Sequence, residues 1–245
     1  MNIKESIKNY LAETGTERIV LKAVLFDMDG VLYDSMPNHA RAWSETMRAH
    51  GLDFSLEEAY LHEGRTGPAT IRIVCRRDGI ALTDEAVGDI YREKTDAFLR
   101  LPAPQCMAGS REVLAKVVRD GLTPMVVTGS GYAALLDNLD RFYPGIFRRE
   151  LMVTAADVKI GKPDPEPYLM ALRKGRLQPC EAFVVENAPL GVEAARAAGL
   201  FVIAVNTGLL PDSCLTDAGA SLLFPGMTAL AGAWDEIRDA AAGGE

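Results

Sequence analysis

The strongest constraint on how this chain folds is a set of short, wholly apolar runs that recur along it. They are LKAVLF (21–26), PMVVTG around Val126, ELMVTA around Met152, AFVVEN around Val184, FVIAVN around Ile203 and ASLLFP near Leu222. A run with no polar alternation suits a strand buried on both faces. Between the runs lie helical stripes: Val113, Leu114, Val117 and Val118; Leu135, Leu136, Leu139 and Phe142; Tyr168, Leu169 and Leu172. Buried strands alternating with amphipathic helices predict an α/β fold, a doubly wound, Rossmann-like parallel sheet with helices on both faces.

One stretch breaks the alternation. From Met36 to about Leu101 only helical faces appear, carried by Met36, Ala40, Trp43 and Met47, by Ile71, Val74 and Cys75, and by Val87, Ile90, Tyr91 and Phe98. Turn signals at Gly51, Gly64, Gly67-Pro68 and Asp78-Gly79 separate them, and LPAPQ at 101–105 returns the chain to the main pattern. The division expected is therefore an α/β core over 1–34 and 103–245, with an all-helical cap over 35–102. Ile3, Ile7, Tyr10 and Leu11 predict a short helix at the start, laid on the body.

With 34 acidic side chains against 26 Lys and Arg, the net charge is −8. That disfavours nucleic acid, whose phosphate backbone needs a basic face. It does not exclude a small phosphorylated substrate, because a metal ion and a few local cations can outweigh the global sum. No run approaches the ~18 apolar residues of a membrane span, and the N-terminus has no signal-peptide core. The four cysteines (75, 106, 180 and 214) include no C-x-x-C pair, so reduced thiols and a cytoplasmic location are expected. A chain of this size with a mobile cap is expected to act as a monomer.

In open α/β sheets, ligands bind beyond the carboxyl ends of the strands. The residues that follow each apolar run therefore nominate a site. The first run leads into Asp27 and Asp29, and the Val126 run into Thr128. The Val184 run leads into Glu186 and Asn187, and the loop after Val153 carries Lys162 in GKPDPEPY. Carboxylates with an amide oxygen suit Mg²⁺, while a lysine and a hydroxyl suit phosphoryl oxygens. Taken singly, a strand-end aspartate is more often a turn former, Thr128 a helix cap and Lys162 a solvated loop lysine. The ordered set makes those readings unattractive.

FDMDGVLYDS, VVTGS, GKPDPEPY and VVENAPLGVEAARAAG, in that order, resemble the four motifs of the haloacid dehalogenase-like superfamily. The helical insertion resembles the cap of its β-phosphoglucomutase-like branch. The resemblance implies a phosphotransferase in which Asp27 attacks phosphorus and Asp29 serves as acid and base, Gly30 letting the chain turn sharply behind it. Thr128 and Lys162 would bind the transferring phosphoryl group, with Gly129 and Ser130 beside the substrate. Asp27, Asp29, Glu186 and Asn187 would hold Mg²⁺. A true dehalogenase needs neither the metal nor Asp29. His39 matches a cap histidine that faces the active site in this branch, whereas His50 and His62 read as surface or packing residues.

Two departures bear on substrate. Asn187 stands where the family usually has a second acid, so the metal site loses a charge. In the cap loop HEGRTG, Glu63 and Gly67 replace the Lys and Arg with which sugar-phosphate mutases of the branch grip the non-transferring phosphate, although Arg65 lies between them. Glu63 could supply from the cap the metal-ligating charge that Asn187 lacks; the plainer alternative is a solvent-facing acid at a helix end. A cap-borne carboxylate suits a small substrate that lets the cap close, and this loop is similar to that of a pyrophosphatase member of the branch. Pyrophosphate hydrolysis leads, ahead of a β-phosphoglucomutase or sugar-phosphate phosphatase, and ahead of a phosphate-binding module without turnover.

Overall fold

Most of the apolar runs become strands because neither face of them meets water. The computed structural model describes residues 2–130 and 133–243, and side chains at all of these except 133–137. In chain order, α1 (Ile3–Thr14) precedes β1 (Ala23–Phe26) and the short β2 (Tyr33–Asp34). Then come α2 (Met36–Ala49), α3 (Leu56–Leu61), α4 (Gly67–Arg77) and α5 (Asp84–Leu99). The chain returns through β3 (Gln105–Cys106), α6 (Ser110–Arg119), β4 (Thr123–Val126) and α7 (Ala133–Phe142). It ends with α8 (Glu166–Gly175), β5 (Ala182–Glu186), α9 (Pro189–Ala197), β6 (Phe201–Val205), α10 (Asp212–Asp217), β7 (Leu222–Phe224) and α11 (Met227–Ala242).

The sheet has the order β4-β1-β5-β6-β7, and every neighbouring pair is parallel. All of β1, β5 and β6 is buried. Successive side chains alternate between faces, and the two clusters follow that alternation. Val24, Phe26, Phe183, Val185, Phe201 and Ile203 pack with Val113 and Val117 of α6 and with Leu230 and Trp234 of α11. Leu25, Val184, Val202 and Ala204 pack with Tyr168 and Leu172 of α8 and with Val192 and Ala195 of α9. This is the doubly wound α/β arrangement that the sequence pattern predicts. The helix predicted at the N-terminus joins the first cluster through Ile3, Ile7 and Tyr10, and Tyr10 Oη donates to Gly199 O at 3.0 Å. Of the stripe on α7, Leu139 is buried, while the side chains of Leu135 and Leu136 lie outside the described residues.

Two details differ from the expectation. The ELMVTA run is not a strand: a single bridge pairs Val153 with Val127. Asp157 Oδ2 accepts from both Thr154 N and Thr154 Oγ1, which turns the chain away one residue past the bridge. The helical segment also contains α3, too short to show a stripe. Its start is marked by a capping box, Ser55 with Glu58.

The helices α2 to α5 share an apolar cluster that includes Met36, Met47, Phe54, Tyr60, Ile71, Val74 and Ile90. Leu210, from the loop after β6, belongs to the same cluster. The paired β2 and β3 bring the two crossings between this unit and the sheet side by side. Among the described residues no helix is long and apolar enough to cross a membrane, and all four cysteines are free.

Trp234 is fully buried and its Nε1 donates to Asp120 Oδ2 at 2.9 Å. Trp234→Ala should cost about 3–5 kcal/mol of stability, measured by guanidinium unfolding, and Trp234→Phe distinctly less.

Candidate active site

The motif residues converge where β1 and β5 end, and Lys162 sits at their centre. It is 2% exposed. Its ammonium donates to Asp27 Oδ1 at 2.5 Å, Glu186 Oε1 at 2.6 Å and Val127 O at 3.1 Å, so all three of its protons are used. Burial opposes the charge, but Asp27 and Glu186 outweigh burial and hold the lysine above its ordinary range. Asp27 is different: burial, with Glu186 and Asp29 nearby, pushes it up to about 8 despite Lys162. One ammonium shared by two carboxylates leaves this pocket short of positive charge.

Glu186, one of the four positions that the resemblance assigns to Mg²⁺, is tied into the same cluster. Oε1 accepts from Lys162 and from Tyr168 Oη at 2.8 Å. Oε2 accepts from the backbone N–H of Asn187 at 2.9 Å and Ala188 at 3.1 Å. Both oxygens are thus engaged twice in a fully buried residue, and through Oε1 Glu186 orients Lys162.

Asp29, 8% exposed, accepts from Ser35 Oγ at 2.6 Å and Ser130 Oγ at 2.9 Å. His39 Nε2 lies 3.2 Å from its Oδ1, and Lys94 Nζ lies 2.8 Å from His39 Nδ1. Since an ammonium only donates, Nδ1 is the acceptor and the ring proton sits on Nε2, facing Asp29. Burial raises the Asp29 pKa, yet His39 and the hydroxyl donors outweigh it and keep the carboxyl well below the usual range. Burial and Lys94 push His39 below 6.5, against the pull of Asp29. Burial also brings Lys94 down to about 8.

The cap loop closes over this floor. Asn187 Nδ2 donates to Glu63 Oε1 at 2.9 Å, so Glu63 faces the site rather than solvent. That bond orients the amide and leaves Asn187 Oδ1 buried without a partner. Gly30 is required beneath it: its φ is +77°, and a Cβ there would lie 2.1 Å from Asn187 Nδ2. Burial, then Asp27, raises the Glu63 pKa well above the usual carboxylate value. Thr128 is 3% exposed, its Oγ1 accepting from Ser130 N at 3.0 Å. Asp27, Asp29, His39, Glu63, Arg65, Thr128, Gly129 and Ser130 all line one cavity of about 60 Å³.

Does Mg²⁺ fit these residues? Among the described residues no three His, Cys, Asp or Glu side chains are grouped to hold a metal, so the donor set has to be mixed. The orphaned Asn187 Oδ1, the carboxylate of Asp27 and the surplus of negative charge meet that requirement, with Glu63 at the cap side. Mg²⁺ accepts such a set because it keeps several waters.

Two basic residues of the cavity lie outside the set nominated from sequence. Lys94 continues the Val87, Ile90, Phe98 stripe at i+4, and a lysine on an apolar stripe was a usable signal. His62, read as surface or packing, lines the cavity with its Nδ1 buried and unpaired; its spacing carried no signal. Removing the central cation gives a test of the cluster. Lys162→Ala should destabilise the metal-free protein by about 3–5 kcal/mol, because it strands buried carboxylates. Adding Glu186→Gln should recover part of that loss in guanidinium unfolding.

Comparison with known proteins agrees with this geometry. The family model of haloacid dehalogenase-like hydrolases matches residues 21–199. Hexitol phosphatase A of Escherichia coli (strain K12) is 35% identical over 188 residues, covering 76% of this chain and 83% of the relative. A fructose-1-phosphate phosphatase of the same organism is 32% identical over 195 residues, covering 74% and 95%. Among solved structures, a Bacteroides vulgatus protein provisionally assigned as a β-phosphoglucomutase is 56% identical, with a TM-score of 0.95 and 98% of each chain covered. A buried Asp-Lys-Glu cluster beneath a helical cap thus accompanies a match over most of the chain, and the protein belongs to the haloacid dehalogenase-like hydrolases.

Proposed function

We propose that the protein is a Mg²⁺-dependent phosphohydrolase that works through an aspartyl-phosphate on Asp27, with inorganic pyrophosphate as its substrate. The observation that carries the substrate choice is the bond from Asn187 to Glu63, a cap carboxylate turned into the catalytic pocket. An anion there repels a bare distal phosphate but suits a substrate that arrives with a metal ion. A cation at position 67 has no room, since even a Cβ on Gly67 would lie 1.9 Å from the Tyr91 ring. A cavity of about 60 Å³ holds a few waters or a compact oxyanion, at about 10–15 Å³ per water. A sugar ring would need the cap to move away.

The chemistry follows from the positions. A carboxylate oxygen of Asp27 forms a bond to phosphorus as the bridging P–O bond breaks, and the electron pair leaves with orthophosphate. Water then attacks the phosphoryl group, gives its proton to Asp29 and releases Asp27. Asp29, held ionised by Ser35, Ser130 and His39, is ready as that base. The departing orthophosphate keeps the proton that the diphosphate carries on its distal end and so needs none from Asp29, whereas a sugar alkoxide does need one. Thr128 faces the transferring group, while Lys162, fixed by Glu186, offsets the charge of Asp27. When bound, Mg²⁺, held by Asp27 and Asn187 with Glu63 at the cap, supplies positive charge for the phosphoryl oxygens.

The second reading, a sugar-phosphate phosphatase or β-phosphoglucomutase, is supported by the names of the relatives. Initial rates with Mg²⁺ should separate the two. Pyrophosphate should exceed hexitol phosphates, fructose 1-phosphate and primed β-glucose 1-phosphate in kcat/KM by about tenfold or more, and Glu63→Ala should abolish most of that advantage. A sugar phosphate ahead by a similar factor gives the second reading its place, and no turnover on any substrate leaves a binding module.

Metal binding has its own signature in pH. Asp27 and Glu63 both hold protons above the ordinary carboxylate range, and protons compete with a metal for its ligands. The rise in Tm on adding Mg²⁺ should therefore grow from pH 6 to pH 8.5, through the Asp27 value of about 8. A rise that is equal at both ends would mean that neither carboxylate takes part.

A further inference from the structure

We infer that Thr207 and Gly208, in the loop after β6, are positioning residues that hold Glu63 against Asn187. What Glu63 does in the reaction rests on the reading above; where Glu63 is held rests on the fold alone. Thr207 lies just past β6, and its Oγ1 donates to Gly30 O at 2.6 Å. Gly30 is the turn on which the Asn187 amide lies, since a Cβ there would come within 2.1 Å of Nδ2. One hydroxyl of the β6 loop therefore pins the backbone beneath that amide.

The next residue supports the cap side of the same joint. The ring of Tyr60, on α3, lies over Gly208, where a Cβ would come within 2.9 Å of Tyr60 Cδ1. Only a residue without a side chain permits that approach. The Tyr60 carbonyl accepts from Glu63 N at 3.3 Å, so the seat of Tyr60 on the core sets where Glu63 begins. Glu63 then closes the circuit by accepting from Asn187 Nδ2 at 2.9 Å. Contacts thus run from Thr207 through Gly30, Asn187, Glu63 and Tyr60 back to Gly208. Two adjacent residues control both halves of the joint.

The loop is itself fixed. Asn206 Nδ2 donates to Leu210 O at 3.0 Å and to Asp212 Oδ1 at 2.6 Å, and Asn206 N donates to Phe224 O of β7 at 2.8 Å. Leu210 is buried in the apolar cluster that includes Ala59 and Tyr60 of α3, which keeps the helix seated. A side chain at position 208 would lift α3 and draw Glu63 away from the amide. Valine at position 207 would remove the donor to Gly30 O.

The test uses the whole, metal-free, isotope-labelled protein and the NMR signal of the Asn187 side-chain amide, assigned by its loss in Asn187→Asp. Glu63→Ala marks where the signal of the unbonded amide falls. Thr207→Val and Gly208→Ala should both move the signal toward that position, while Thr207→Ser, which keeps the hydroxyl, should leave it near its wild-type place. In turnover of pyrophosphate with Mg²⁺, Thr207→Val and Gly208→Ala should each lower kcat/KM about tenfold. They should cost little more when Glu63 is already alanine. Losses that multiply with that of Glu63→Ala would show a merely structural role and overturn the inference. A moved signal supports it even if pyrophosphate is not turned over. A signal that keeps its wild-type position in both variants overturns it even if pyrophosphate is the substrate.

Discussion

The site depends on one buried ammonium. Lys162 has three protons and spends them on Asp27, Glu186 and the Val127 carbonyl. A lysine so enclosed survives only because its partners are fixed, and Glu186 is fixed in turn by Tyr168 and by two backbone N–H groups at the start of α9. The chain of constraints runs from the ends of β1 and β5, through Glu186 and Lys162, to the carboxylate proposed as nucleophile. It also explains why the pocket calls for added positive charge. Burial penalises every carboxylate there, and one lysine cannot offset them all.

A second constraint couples the cap to the core. His39 on α2, backed by Lys94 on α5, reaches Asp29, which lies just past β1, while Glu63 in the cap loop reaches Asn187 after β5. Both links are polar and lie inside the cavity. An apolar link lies outside it, where Leu210 of the core joins the cluster of cap residues. Asp29 is therefore held ionised by groups that belong partly to the cap. The hydrogen-bond set around Asp29 is complete only with the helical unit in this position.

Much of this was legible beforehand, for identifiable reasons. Strands buried on both faces must be apolar throughout, so β1, β4, β5 and β6 announced themselves, and the loops after them carried Asp27, Asp29, Thr128, Glu186 and Asn187. The Val153 segment had the same composition but pairs at one residue, because Asp157 captures Thr154 and turns the chain. Composition cannot distinguish a strand from a buried bridge. Glu186 shows the same limit: its residue type suits a metal, and only the fold reveals its four donors, from Lys162, Tyr168 and two backbone amides.

The sequence by itself determined the doubly wound sheet, the helical insertion and the set of residues gathered at the strand ends, because hydrophobic periodicity and the alternation of strands with helices along the chain are local patterns. The tertiary structure alone decided which carboxylate keeps a free oxygen, which way the Asn187 amide points, and that Glu63, Arg65, His62 and Lys94 face the same small cavity. Those outcomes depend on hydrogen bonds between residues far apart in the chain, such as Asn187 with Glu63, 124 positions away. No local pattern encodes a partner at that distance.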